Sequence, residues 1–162
     1  MVDINNTEKT IKASPRVSIV IVNYNGKHVL KDCLSSIDKL DYPKGCLDTK
    51  LIDNGSKDGS ISYITKNFPF VKVIKNPENN FCKANNLGIR ESQSDYIALL
   101  NNDTVVDRKW LKELIKVIAK DQKIGCVGSK ILFPDGRIQS TGHYEFPNFY
   151  WGDRGFNEPN LG

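Results

Sequence analysis

The chain has 162 residues, which is enough for one domain of ordinary size and too few for two domains with separate cores. A hydrophobic fraction of 39% excludes wholesale disorder, and no apolar run is long enough for a bilayer span or a signal peptide, so we expect a cytoplasmic protein. The net charge of +4 comes from dispersed lysines, which argues against a nucleic-acid partner and allows at most peripheral membrane contact. The four cysteines form no CxxC pair and predict reduced, mostly buried thiols.

The first part of the chain predicts strands that alternate with helices. Residues 1–15 are polar and are expected to form a flexible leader. Residues 17–22 are a β-branched run, the pattern of a strand buried on both faces, and Asn25 is expected to cap the helix that follows. Further predicted elements are strands at 49–52, 71–74 and 96–100, and helices at 61–67 (capped from Asp58), 84–91 and 107–118. This alternation predicts an α/β fold with a mainly parallel sheet and helices on both faces.

The pattern changes after Ile124. Residues 130–133 and 137–139 flank a Pro-Asp-Gly turn and predict a β-hairpin. From residue 143 on, aromatic residues lie among glycines and prolines with neither helical nor strand periodicity. We therefore predict one domain over residues 16–142 and an irregular, aromatic-rich segment over residues 143–162. Uncovered aromatic side chains predict mobility or self-association of that segment.

Polar side chains follow three of the predicted strands, at residues 23–25, 53–56 and 101–104. Ligands of open α/β sheets bind outside the carboxyl ends of the strands. Turn formation alone would account for any one of these segments, but all three together favour a binding site. The sequence contains neither GxGxxG after the first strand nor GxxxxGK[ST], which argues against a dehydrogenase and a P-loop enzyme. Carboxylate and amide oxygens at these positions suit Mg²⁺ or Mn²⁺ bridging to phosphate groups.

Four strings carry a family resemblance: VSIVIVNYNG at 17–26, IDNGSKDGS at 52–60, ANNLGIR at 84–90 and YIALLNNDT at 96–104. In this order and spacing they resemble the family 2 glycosyltransferases, above all the members that include rhamnosyltransferases. The resemblance implies a Rossmann-like GT-A nucleotide-diphospho-sugar transferase fold, truncated here at the C-terminal side. It implies inverting transfer of a sugar from a UDP- or dTDP-linked donor to a hydroxyl of a saccharide or lipid-linked acceptor, in cell-surface polysaccharide or glycolipid assembly.

The resemblance also implies which residues bind the donor. They are Val22, Asn23, Tyr24, Asp53, Lys83, Asn85, Asn86, Asn101, Asn102 and Asp103. Asp53 matches the aspartate that accepts a hydrogen bond from the base. Asp103 matches the principal ligand of a divalent metal ion, Mg²⁺ or Mn²⁺, and Asn101 replaces the first aspartate of the DXD-type motif. Because that amide is neutral, the metal ion would meet less negative charge.

The sequence also departs from the family pattern. The loop before ANN lacks the usual glycine, so we expect Asn80 to adopt a left-handed conformation in its place. Nothing after Gly142 resembles the acceptor-binding half of the family, so the catalytic base is expected beyond Gly162. Glu145 and Asp153 lie in an irregular context that argues against either as the base. A nucleotide-sugar-binding module without turnover is therefore an alternative, and a flavodoxin-like domain is a third that leaves the strand ends unexplained.

Overall fold

The computed structural model describes residues 14–147 and 150–161. The predicted leader, up to residue 13, lies outside the described residues. The chain folds as two compact units, the first ending at Val106 and the second beginning at Asp107. The predicted domain end at residue 142 falls within the second unit. None of the helices in the described ranges combines the length and the apolar character that a bilayer crossing requires.

The first unit alternates strands and helices, as the sequence predicts. Its elements are β1 (Val17–Asn23), α1 (Lys27–Asp38), β2 (Leu47–Asp53), α2 (Ser60–Asn67), β3 (Val71–Lys75), α3 (Phe81–Arg90) and β4 (Tyr96–Asn101), with a 3-10 turn at Lys44–Cys46. The strands are parallel and lie in the order β3-β2-β1-β4. The winding of the chain reverses between β1 and β4, which makes this the topological switch point of the sheet.

Helix α3 packs on one face of the sheet at short range. A Cβ atom on Gly88 would lie 2.3 Å from Val20 Cγ1, so the glycine permits the contact between α3 and β1. Val20, Ile52 and Ala84 form a buried apolar cluster at this contact. The fully buried residues of the opposite face include Ile19, Ile21 and Leu51. Both faces of the central strands are therefore covered, as the β-branched run predicts.

Strand β4 is the least covered strand of the sheet. Its side chains alternate between half-buried and exposed, and Ile97 and Leu99 are 39% and 53% exposed. Leu99 pairs in register with Val20 and therefore lies on the same face as α3. Within the sheet as described, β4 has a strand neighbour on one side alone. An apolar strip of β4 beside α3 thus meets solvent.

Two predictions about asparagines at helix starts are wrong. Asn25 does not cap α1, because its backbone is left-handed (φ 51°) and its Oδ1 accepts a hydrogen bond from Lys57 N at 2.8 Å. Asn80 is extended (φ −136°) instead of left-handed, and its Oδ1 accepts a hydrogen bond from Lys83 N at 2.9 Å. Asn80 is therefore the N-cap of α3, which begins earlier than predicted.

Asp58 holds the first turns of two helices. Its Oδ1 accepts a hydrogen bond from Ser60 N at 3.0 Å at the start of α2, but the N-cap residue is Gly59, so the predicted cap is wrong by one residue. Its Oδ2 accepts a hydrogen bond from Lys27 N at 2.8 Å at the start of α1. Burial alone would raise the pKa of Asp58, but the hydrogen bonds from Ser60 and Lys27 outweigh burial and hold that pKa below its usual value.

The second unit contains one helix and two hairpins in its described part. Its elements are α4 (Trp110–Ile118), β5 (Ile131–Leu132), β6 (Ile138–Ser140), β7 (His143–Phe146) and β8 (Tyr150–Asp153). Strands β5 and β6 form the predicted hairpin. Strands β7 and β8 also pair antiparallel, so the prediction of irregular structure is wrong for these residues. Polar and aromatic residues alternate in β7, but the three successive aromatic residues at 149–151 break that pattern before β8.

A buried charged group lies at the amino-terminal end of the sheet. The side chain of Lys50 in β2 is 2% exposed, and its ammonium group contacts the carboxylate of Asp48 and lies 3.3 Å from Ser18 Oγ. Ser18 Oγ is also 2.9 Å from Ser94 Oγ, in the turn before β4. A cavity of about 300 Å³ at this end is lined by Arg16, Asp48, Lys50, Lys72, Glu91, Gln93 and Ser94. This polar cluster is at the end of the strands opposite to the predicted site.

We predict that Asp48→Ala lowers the free energy of unfolding by about 2 kcal/mol, because the buried ammonium group of Lys50 loses the carboxylate that contacts it. Lys50→Met should be nearly neutral, since it removes the buried charge and leaves Asp48 partly hydrated. Urea denaturation followed by circular dichroism measures both changes. Equal destabilisation by the two variants would contradict this account of the pair.

Candidate functional site

Asn23, the last residue of β1, lies at the centre of the carboxyl edge, and its side chain is fully buried. Its Nδ2 donates hydrogen bonds to Asp53 Oδ1 at 3.1 Å and to Ser56 Oγ at 3.0 Å. Its Oδ1 accepts a hydrogen bond at 3.0 Å from Nδ2 of Asn102, the residue that immediately follows β4. Both amide protons and the oxygen are thus engaged, and the ends of β1, β2 and β4 are tied together. We refer to Asn23, Asp53, Ser56 and Asn102 as the strand-end network.

Asp53 is 1% exposed and anchors the turn after β2. Its Oδ2 accepts hydrogen bonds from Gly55 N at 3.2 Å and from Ser56 N at 3.0 Å, in addition to the bond that Asn23 donates to Oδ1. A carboxylate so enclosed reaches a base only if the turn over residues 54–56 moves. The base contact that the resemblance implies for Asp53 therefore stays a prediction, and holding this turn is the role visible in the structure.

A second pair of asparagines links the end of β2 to the end of β3. Asn76 Nδ2 donates hydrogen bonds to Asn54 Oδ1 at 2.8 Å and to Glu78 O at 2.7 Å, and both asparagines are buried. Ser56 belongs to a predicted polar strand end but was not predicted as a site residue, and Asn76 was not predicted at all. A signal was available for Asn76, because it follows a strand in the same way as the polar residues that marked the other three strand ends.

Gly26 leaves the space that the bond between Asn23 and Asn102 occupies. A Cβ atom on Gly26 would lie 2.3 Å from Asn102 Nδ2 and 2.5 Å from Asn23 Oδ1. The backbone of Gly26 has φ −98°, which any residue adopts. The glycine is therefore required by the close approach of two side chains and not by its backbone conformation.

We predict that Gly26→Ala separates Asn102 from Asn23 and lowers the free energy of unfolding by about 1 to 3 kcal/mol, because a buried amide oxygen loses its donor. Gly45→Ala is the matched control, since a Cβ atom there meets nothing within 4 Å. The control should change stability by less than about 0.5 kcal/mol. Thermal melting of both variants measures the difference, and a Gly26→Ala protein as stable as the control would be the contrary result.

Asp103 and Asn101 are exposed at the end of β4 and are the predicted metal ligands. A backbone hydrogen bond from Thr104 N to Asn101 O at 3.3 Å closes the turn that carries them. The described part of the chain contains no group of three or more His, Cys, Asp or Glu side chains suited to a metal ion. One carboxylate and one amide oxygen fit Mg²⁺ or Mn²⁺ that takes its other ligands from a diphosphate and water. They do not fit a metal centre built by protein side chains alone.

The remaining predicted donor residues divide into exposed and packed side chains. Tyr24 is 51% exposed beyond β1, and Lys83 is exposed near the start of α3, where it forms an ion pair with Glu78. Asn85 Nδ2 donates a hydrogen bond to a backbone carbonyl of its own helix at 3.0 Å, and Asn86 is exposed one residue later. In contrast, Val22 packs against the apolar cluster under α3. The exposed side chains are therefore the ones available to a ligand in this conformation.

Cys33 lies close to the end of β4. Its thiol is buried, and its Sγ is 3.8 Å from Asn101 O. Burial raises the pKa of Cys33 to about 12, with a smaller contribution from the negative charge of Asp103. All four cysteines are free thiols, and Cys82 and Cys126 are exposed, so the prediction of mostly buried thiols is wrong for these two.

We expect iodoacetamide to alkylate Cys82 and Cys126 of the folded protein at mildly alkaline pH and to leave Cys33 intact, because the thiolate is the nucleophile. The neutral Cys33 thiol should contribute its full stability below its ordinary pKa of 9.0 and lose it as the pH rises toward about 12. Peptide mass spectrometry identifies the labelled sites, with urea-unfolded protein as the control. Equal labelling of the three thiols in folded protein would refute this assignment.

The chain belongs to the glycosyl transferase family 2, whose family model matches residues 18–161. Glycosyltransferase AglE of Haloferax volcanii is 27% identical over 141 residues, which are 83% of this chain and 46% of that protein. The poly-β-1,6-N-acetyl-D-glucosamine synthase of Staphylococcus epidermidis is 30% identical over 114 residues, which are 68% of this chain and 27% of that protein. The chain thus spans less than half the length of these relatives.

Solved structures confirm the predicted GT-A fold. The mannosyltransferase PcManGT of Pyrobaculum calidifontis, in complex with GDP-Man and Mn²⁺, matches with a TM-score of 0.68 at 23% identity, over 76% of this chain and 37% of its own. S. aureus TarS 1–349 in complex with UDP-GlcNAc matches with a TM-score of 0.61 at 20% identity, over 66% of this chain and 32% of its own. The predicted family and the mainly parallel sheet are both confirmed.

Proposed function

We propose that this chain is the donor-binding part of a glycosyltransferase and takes a nucleoside diphosphate sugar at the carboxyl edge of its sheet. The strand-end network is the observation that carries the proposal. It joins Asp53 to Asn102, the residue before Asp103, and so brings the implied nucleotide and metal ligands to one edge. This edge is beside the switch point between β1 and β4, where ligands of doubly wound sheets bind. Structural neighbours in complex with GDP-Man and UDP-GlcNAc support the ligand class.

Within this proposal, Asp103 supplies the formal negative charge of the metal site and Asn101 a neutral oxygen. A divalent ion held there would stabilise the charge that develops on the departing diphosphate. Tyr24 and Asn86 are exposed and would line the nucleotide. Lys83 would leave its ion pair with Glu78 to meet the phosphate groups, at little cost because that pair is exposed.

The transfer itself would be inverting, with an acceptor hydroxyl attacking opposite to the departing diphosphate. Such an attack needs a base that removes the hydroxyl proton, and the proposal assigns that role to none of the described residues. A role in polysaccharide or glycolipid assembly is supported by the relative named as a poly-β-1,6-N-acetyl-D-glucosamine synthase. UDP and dTDP are the nucleotides proposed first, and GDP is a third because one neighbour binds GDP-Man.

We predict that UDP, dTDP or GDP binds this chain only with Mn²⁺ present, and that Asp103→Ala weakens binding at least about tenfold, equivalent to about 1.4 kcal/mol. The physical reason is loss of the one carboxylate exposed at the end of β4. Isothermal titration calorimetry gives the affinities with and without Mn²⁺. Asp32→Ala, which removes an exposed carboxylate from α1, is the matched control and should bind like the unaltered chain.

Two further measurements sharpen this test. Asn101→Asp should tighten the metal-dependent binding, because it adds a second negative ligand. Binding that is independent of Mn²⁺, or unchanged in Asp103→Ala, would defeat the proposal. Release of nucleotide from a sugar donor distinguishes a transferase from a module that binds without turnover, since the module would bind the donor and release nucleotide no faster than buffer.

A further inference from the structure

Trp151 lies on a face of the β7–β8 hairpin whose other side chains are polar. Cross-strand partners of an antiparallel pair share a face, and the register pairs Glu145 with Trp151 and His143 with Asp153. Because side chains alternate along a strand, all four lie on the same face. Trp151 is 63% exposed, and His143 Nδ1 is 3.1 Å from Asp153 Oδ1. We refer to His143, Glu145, Trp151 and Asp153 as the Trp151 face.

The opposite face of the hairpin holds an aromatic pair of its own. The ring of Phe146 lies over Gly152, where a Cβ atom would be 2.6 Å from Phe146 Cε2. The ring of Tyr144 packs against it with centroids 4.3 Å apart. These rings pack on each other and their residues are 38% and 40% exposed, whereas Trp151 is more exposed, at 63%. An exposed large aromatic ring bordered by polar groups is typical of a binding surface.

We infer that the Trp151 face is a binding site for a neutral saccharide. A pyranose ring presents a flat face of C–H groups that packs on an indole, and its hydroxyl groups donate hydrogen bonds to carboxylates. Glu145 and Asp153 supply those carboxylates beside the ring. A few polar groups around an aromatic surface are the usual composition of such sites. The choice of a saccharide over other neutral ligands rests on the proposed function, but the site itself lies in the second unit and needs no nucleotide.

Two other occupants agree less well with the observed side chains. Cations bound by aromatic residues are commonly enclosed by several rings, and the rings of Tyr144 and Phe146 are on the opposite face. An anionic membrane would also attract an exposed tryptophan at its interface. However, Glu145 and Asp153 would repel its headgroups, and the imidazole of His143 is held against Asp153, with Nδ1 3.1 Å from Asp153 Oδ1.

The second tryptophan of the chain makes a direct test possible. Because the chain has two tryptophans, Trp110→Phe leaves Trp151 as the single indole fluorophore. The native Trp110 Nε1 donates a hydrogen bond to Ser129 Oγ at 2.7 Å, which this variant loses. We would first screen this 162-residue variant on an array of neutral oligosaccharides without nucleotide or metal, and then titrate the bound sugars by fluorescence. The expected result is a blue shift of the emission with a dissociation constant on the order of 1 mM, as for a small exposed site.

Substitutions on the two faces of the hairpin test whether the saccharide binds at the Trp151 face. Trp151→Ala and Trp151→Leu lack the reporting indole and are therefore assayed on the array, where they should lose saccharide binding. Glu145→Gln keeps the indole, and its fluorescence titration should show binding weakened several-fold, because a neutral acceptor forms weaker hydrogen bonds. Tyr144→Ala, on the opposite face, is the matched control and should retain binding, with folding of each variant checked by circular dichroism. Absence of binding to every sugar on the array, binding that survives Trp151→Ala and Trp151→Leu, or a preference for choline or for phosphatidylserine vesicles would overturn the inference.

This test is separate from the test of nucleotide binding. It contains neither nucleotide nor Mn²⁺, and Asp103→Ala should bind the saccharide as the unaltered chain does. If the donor-site proposal is wrong, the chain will bind saccharide but no nucleotide. If the Trp151 face is not a saccharide site, the chain will bind nucleotide with Mn²⁺ but no saccharide.

Discussion

The burial of one amide, that of Asn23, constrains the whole carboxyl edge of the sheet. An amide without access to water destabilises a protein unless each of its polar atoms has a partner. The partners of Asn23 come from the turn after β2 and from the residue after β4, so the amide is satisfied only when β1, β2 and β4 end side by side. Gly26 belongs to the same constraint, since any larger residue would enter the space of the bond to Asn102. The location of Asp103 follows from this arrangement.

The two ends of the sheet differ in the polar groups that they bury. At the amino-terminal end, the ammonium group of Lys50 is buried and held by Asp48 and Ser18, which anchors β2 to β1. At the carboxyl end, buried asparagines satisfy one another and leave Asp103 and Asn101 facing solvent. If the proposed donor site is correct, this layer of hydrogen bonds would hold the oxygen atoms that face the ion in position. The two ends of the same strands thus differ in what the side chains hold: an ion pair at the amino-terminal end, and a network of amides at the carboxyl end.

The sequence predicts the main-chain architecture of the first unit better than its side-chain contacts. The β-branched run at β1 and the polar residues after three strands are local signals, and the structure has strands and turns at those places. In contrast, Asn25, Asn80 and Ser56 are residue types that serve equally as caps, turn residues or network members, and only the folded chain decides which partner lies within reach. The β7–β8 hairpin escaped prediction for a different reason, because Trp151 interrupts in β8 the alternation of polar and aromatic residues that β7 shows.

The open flank of β4 has a practical consequence. A strand with unpaired backbone groups and exposed apolar side chains is a template on which another chain can add. Strand β4 contains no proline, lysine or other charged residue that would discourage such addition, and Ile97 and Leu99 present branched aliphatic surface beside the free edge. The exposed edge of β4 is therefore the place in the described sheet where a strand of another chain would add most easily.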